Sequence, residues 1–242
     1  MISDAKNSLP ALPGDSLGSF IETAHMNILV TAANLPQEWR QLATIDSLFQ
    51  KASENLNESP SWFTGLFLIR SHSAYRAAVR LSASGQLPEA YSMMRGCLEY
   101  ALYARFMEED PERQTRWLKR SETEENRKAF RQEFTTRAFF NCLSAINSWL
   151  GAYAERLYKI LVDYGAHPND LGLASVISYH ENEEITRLET SQLQAGGEVF
   201  LGCILTTARV GVSILLIFET IFKHRFALLG ITHELQQEKA GL

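Results

Sequence analysis

The sequence predicts an all-α, bundle-like single domain carrying a small β-hairpin near residues 173–189. Three observations predict it. Apolar residues recur at helical spacing along most of the chain. Helix-start signals punctuate it: Ser59-Pro60-Ser61, Pro88 after Gly85-Gln86, and Pro111 after Glu108-Glu109-Asp110. Two segments, about Pro88–Met107 and Val199–Phe222, are apolar nearly all round, as helices inside a bundle are.

In chain order, residues 1–18 are rich in Pro, Gly, Ser and Asp and read as a flexible N-terminal arm. They lack the charged-then-apolar layout of a secretory signal. Residues 19–242 read as the helical domain. Ser19 to about Thr31 is a first helix. Pro36 to about Leu56 is a second, with Leu42, Ile45, Leu48 and Phe49 on one stripe. A third follows Ser61 and runs to about Ala83, where Gly85-Gln86 breaks it. Pro88–Met107 is the fourth.

From Pro111 to about Arg137 both charge signs alternate at helical spacing, the pattern of a solvated helix face rather than a nucleic-acid surface. Ala138 to about Tyr164 is helical with a break near Asn147-Ser148. Ala174–Tyr179 and Glu184–Leu188 have β-branched, alternating character and form the expected hairpin. Gly197 to about Lys223 is the last long helix.

Composition narrows the classes of function. The 242 residues are 45% hydrophobic and 21% charged, with a formal net charge of -5. That balance exerts no global pull on nucleic acid or anionic lipid, so neither is an expected partner. Cys97, Cys142 and Cys203 are odd in number, widely spaced and set in apolar helices, which points to free thiols and a cytoplasmic setting. Val199–Phe222 is long enough to span a bilayer. Arg209 would then sit mid-span, at about 2.5–3.5 kcal/mol on insertion scales, so a core helix is the expected reading.

Charge placement singles out candidate residues. At 100° per residue, Ser92, Arg95, Glu99 and Tyr103 form one narrow line on the fourth helix. Gly202, Thr206, Arg209, Ser213 and Thr220 form another on the last. Arg70 interrupts the stripe of Phe63, Leu66, Ala77 and Leu81. Each of three expected core helices thus carries an arginine where an aliphatic side chain would stand. Buried charge requires a partner or a purpose. The expected arrangements are an internal ion network, a polar cavity for a small anionic or polar ligand, or the lining of a dimer interface. His167 and Asn169, in Gly165-Ala166-His167-Pro168-Asn169, follow a helix end. They either cap it or join the cluster, His167 working with Glu99 or Tyr164, a His near a buried carboxylate being an acid–base arrangement.

Several chemistries lack their residues. Glu22-Thr-Ala-His25 is a single Glu-x-x-His where a di-iron bundle needs two. His72, His167 and His180 have no zinc spacing. No phosphate-binding Gly loop, nucleophile elbow or dinucleotide fingerprint is present. No metal or cofactor is therefore expected.

The stretch RSHSAYRAAVRLSASGQLPEAYSMMRGCLEYALYARFMEEDP, joined later by YGAHPN, resembles uncharacterised bacterial all-helical domains. Those carry a G-x-x-x-E-A turn, an R-x-x-x-E helix and an HP motif. More distantly it is similar to the HEPN bundles of toxin and phage-defence RNases. The resemblance implies a helical bundle, a bacterial origin, and Arg95, Glu99, His167 and Asn169 as motif positions. The Arg–His pair that HEPN nucleases space four to six residues apart is absent. The expectation is a non-enzymatic interaction or ligand-sensing module with a buried Arg/Glu cluster, the alternative a HEPN-like RNase. A homodimer anchored by Trp62, Trp117 and Trp149 is also expected.

Overall fold

A computed structural model describes residues 12–56, 62–166, 172, 177–181 and 186–240. Its helices are α1 (Ser16–Asn34), α2 (Pro36–Glu54), α3 (Trp62–Ser84), α4 (Leu87–Glu109), α5 (Pro111–Leu118), α6 (Glu124–Glu133), α7 (Thr136–Ile146) and α8 (Ser148–Leu161). A π-helical turn, Val162–Ala166, extends α8. After the hairpin come α9 (Gly197–Ile221), α10 (Lys223–Leu228) and α11 (Ile231–Ala240). The fold is an all-α bundle, as the periodicity predicts.

Local chemistry sets most helix starts. Asp15 accepts from the Gly18 amide at 2.7 Å, so α1 begins at Ser16, three residues before the expected start. Asp110 accepts from the Glu112 amide at 2.9 Å with Pro111 at N1 of α5. Thr123 and Thr135 cap α6 and α7 in the same way, at 3.1 and 3.2 Å. Asn147 closes α7 and its side chain caps α8 at 3.0 Å, which accounts for the break visible in the sequence.

The hairpin is present, displaced toward the C-terminus. Strands β1 (Ile177–Glu181) and β2 (Thr186–Thr190) are antiparallel, with Tyr179 opposite Leu188. The segment after it returns to the α3–α4 turn, where the Gln194 amide donates to the Gly85 carbonyl at 2.9 Å. Gly85 has φ 89°, and a Cβ there would collide with the Gln194 backbone.

At the centre α3 and α4 form a helical hairpin, and α9 lies against α4, α2 and α3. Met94, Leu98 and Leu102 of α4, Tyr75 of α3, Phe49 of α2 and Phe218 of α9 are all but fully buried. Burying a Leu or Phe contributes roughly 1.5–3 kcal/mol, so this seam dominates the fold. By length and composition α9 could cross a membrane; 78% of its apolar window is buried inside the bundle. Outside the core, α1 covers α3, while α7 and α8 cover α4. Lys51 of α2 pairs with Glu234 of α11 at 2.9 Å, holding the C-terminal helix down.

Candidate ligand-binding cleft

The line of Arg95, Glu99 and Tyr103 on α4 faces outward rather than into the core. Its opposite side already packs against α3 and α9, and the shorter helices α5 to α8 cover this side incompletely. Arg95 Nε lies 3.5 Å from Glu99 Oε1, and the two side chains keep 29% and 34% of their exposure. The expected buried cluster is therefore a half-buried one. Arg95 Nε itself is enclosed and makes no hydrogen bond among the described residues.

Glu99 gains a partner that sequence spacing does not reveal. Tyr158 of α8 donates its hydroxyl to Glu99 Oε1 at 3.0 Å. Burial, and then the charge of Glu99, push the Tyr158 phenol up to about 12, so it is a donor at neutral pH. Among the described residues, Glu99 Oε2 accepts no hydrogen bond. Tyr103 packs against Phe139, centroids 4.6 Å apart, and Phe134, 5.8 Å apart. Burial and then Glu99 raise its phenol as well.

The other candidates are dispersed. Arg70 is exposed, its guanidinium 5.6 Å from the centre of the Tyr100 ring. Arg209 is half-buried on α9, its charge acting on Tyr153 of α8 together with Arg156. No ion pair or hydrogen bond joins Arg209 to Arg95 or Glu99 among the described residues. His167 and Asn169 lie outside the described residues. The turn before them is tied down, for Ser92 of α4 donates to the Gly165 carbonyl. A Cβ on Gly165 would strike Pro88, Tyr91 and Ser92, so this close approach requires glycine.

Glu99 forms part of the wall of a cleft of about 410 Å³ between α3, α4, α5 and α6. Phe67, Tyr100, Tyr103, Trp117 and Phe130 supply its aromatic surface, with Arg120 and Gly96. Trp117 meets Phe63 and Phe67 edge-on, at 5.9 and 5.5 Å between centroids. The Arg120 guanidinium covers its ring at 4.0 Å, and one of its N–H groups donates to the Trp117 carbonyl at 2.7 Å. Gly96 leaves room here: a Cβ at that position would meet nothing within 4 Å.

The charged segment is a solvated face, with no buried residue in α5 or α6, and its ion pairs also hold this wall in place. Arg116 of α5 reaches Glu133 of α6 through two hydrogen bonds of 2.8 Å and Asp110 through one of 2.7 Å. Its hydrogen bond holds Asp110 below the usual carboxylate range. Arg113 lies 3.8 Å from the centre of the Phe106 ring and binds Glu109 at 2.7 Å.

Comparison with models of protein families, with curated proteins and with solved structures finds no match to this chain. The site is therefore read from its own geometry.

Neighbouring features offer less. A cleft of about 580 Å³ between α7 and α8 is lined by Arg137, Asn141, Lys159 and Glu155, of which the last two pair with each other at 3.0 Å. On α2 and α3, Asp46 accepts from His72 at 2.7 Å and from Arg76 at 2.7 and 3.0 Å, a network that ties the two helices. Among the described residues no cluster of three or more His, Cys, Asp or Glu could hold a metal ion. Of the three tryptophans expected at an interface, Trp117 belongs to the cleft. Trp149 stacks on Tyr153 beneath Lys239, and Trp62 is 66% exposed.

Proposed function

We propose that this protein is a non-enzymatic small-ligand-binding module whose site is the aromatic cleft beside Glu99. One observation carries the reading: a cleft of ligand size, about 410 Å³, joins five aromatic side chains to a carboxylate oxygen that accepts no hydrogen bond among the described residues. Pockets for small molecules combine apolar and aromatic walls with a few placed polar groups in this way.

The state of the reactive side chains supports binding over chemistry. Burial pushes the Cys97 thiol up and the Cys203 thiol to about 12, so neither is a thiolate at neutral pH. His72 of α3 is committed to Asp46 and stacked on Phe49. Tyr158 holds its proton.

Thermal-shift measurement against a panel of nucleotides, quaternary amines, carboxylates and sugars tests the reading. At least one class is expected to raise the Tm of the wild type and leave Gly96→Leu unmoved, because a Cβ here meets nothing within 4 Å and the added side chain occupies the cleft. No shift with any class, or a shift that persists in Gly96→Leu, overturns it.

A further inference from the structure

Resting on that reading of the cleft, the geometry points to a guanine mononucleotide as the occupant: its base lies among the aromatic rings, its N–H edge on Glu99, and its phosphate by Arg120.

The walls favour a flat ring. Tyr100, Tyr103, Trp117, Phe67 and Phe130 offer ring surfaces around one cleft, and a planar heterocycle can stack on such surfaces whatever its substituents. The alternative guest of an aromatic box is an organic cation. Here two of the rings already carry guanidinium groups, Arg120 at 4.0 Å from Trp117 and Arg70 at 5.6 Å from Tyr100. Of these only Arg120 lines the cleft, and Arg95, 3.5 Å from Glu99 Oε1, balances the carboxylate. A positively charged guest meets like charge there. A neutral ring bearing an anionic tail meets its complement.

Glu99 selects among rings. A carboxylate only accepts hydrogen bonds. Oε1 takes one from Tyr158 and keeps further acceptor capacity, while Oε2 accepts none among the described residues. Guanine presents two adjacent donors on one edge, N1–H and the exocyclic amine, and satisfies both oxygens. Adenine sets a bare N1 lone pair against the carboxylate beside its amine. The site therefore distinguishes the two purines by charge and donor pattern, not by size.

The same chemistry could come from a base in single-stranded RNA. The chain has a net charge of -5, and the cleft itself is lined by one cation and one anion. A strand-tracking site needs a positively charged groove along several nucleotides. A single nucleotide fits these charges better.

The test is titration calorimetry of the full chain with GMP, AMP, choline and a mixed-sequence 12-nucleotide single-stranded RNA. GMP is expected to bind saturably, at least tenfold tighter than AMP and choline and no weaker than the RNA. Gly96→Leu should abolish GMP binding. Glu99→Gln keeps an acceptor for the Tyr158 hydroxyl but turns half of the acceptor pair into a donor. It should weaken GMP by tenfold or more and bring AMP to at least its level, a reversal that loss of folding cannot mimic. Equal affinity for GMP and AMP in the wild type, or GMP binding untouched by Glu99→Gln, overturns the guanine assignment. RNA binding more than tenfold tighter than GMP overturns the mononucleotide. If choline or another class binds and Gly96→Leu blocks it, the cleft stands as a ligand site and the guanine inference fails.

Discussion

Gly96 and Gly211 both sit inside long helices, and the same substitution to alanine is expected to change stability in opposite directions. Glycine in a helix interior costs about 0.5–1 kcal/mol relative to alanine, chiefly in backbone entropy. At Gly96 of α4 the new Cβ meets nothing within 4 Å, because the position opens on the cleft. Gly96→Ala should therefore stabilise by nearly that full amount. At Gly211 of α9 the Cβ would lie 2.7 Å from Ile45 Cγ2 and 2.7 Å from Tyr75 Cε2. Ile45 and Tyr75 are fully buried, and Tyr75 is anchored by its hydroxyl to the Leu42 carbonyl at 3.2 Å. Neither can yield without moving a helix. Overpacking of this kind costs about 1–3 kcal/mol. Subtracting the propensity gain leaves Gly211→Ala destabilised by up to about 2.5 kcal/mol. In a domain of this size 1 kcal/mol moves Tm by roughly 2–4 °C, so urea unfolding or calorimetry resolves both signs. If both variants stabilise, the packing of α9 on α2 and α3 is wrong. If Gly96→Ala destabilises by more than about 0.5 kcal/mol, against the gain expected from propensity, the cleft is not open space.

Further expectations follow from the same geometry. Arg95→Met and Glu99→Leu, singly and together, should show a coupling of about 0.3–0.5 kcal/mol, as for a solvated i,i+4 pair; the several kcal/mol of a buried pair would contradict the half-buried placement. Arg116→Met should leave the core intact while hydrogen exchange in α5 and α6 quickens, since it removes the ties to Glu133 and Asp110; unchanged exchange would show that apolar contacts alone hold that wall. Burial lowers the pKa of His72 more than Asp46 raises it, so the unfolded chain binds this proton more readily. Stability should accordingly fall as pH drops below about 6.5, and a His72→Gln variant should show a shallower slope in urea unfolding between pH 7.5 and 5.5; an unchanged slope refutes the assignment. Burial alone would raise Asp46, but hydrogen bonds from Arg76 and His72 outweigh it, so its contribution is lost only as pH falls through the carboxylate range. Purified protein should leave RNA intact; cleavage abolished by His167→Ala would replace the binding reading with the HEPN-like one.

The bundle was legible because helix signals are local. Periodicity, Pro at first turns and the Asn147 break are all written within one or two turns of chain. The line of Arg95, Glu99 and Tyr103 was legible for the same reason. What that line faces was not, because burial depends on whatever covers it. A helix apolar on most sides looks wholly buried from its own sequence. Here α5 to α8 are short and leave one strip uncovered, so the line opens on a cleft. Tyr158 is 59 residues from Glu99, and no spacing rule links them. Trp117 and Arg120 did leave a trace: three apart where α5 passes into a turn, they are at stacking distance. Inside a run of mixed charge that trace reads as a solvated face. Arg116 shows how the same run also ties elements together, since it reaches Asp110 at the α4–α5 junction and Glu133 of α6.

The most direct test of the cleft as a ligand site is hydrogen exchange of the wild type with and without whichever compound raises its Tm most. Protection concentrated in residues 96–103 of α4, in α5 and in α6 is the predicted result. Protection confined to the α7–α8 cleft, or spread evenly over the bundle, would contradict it.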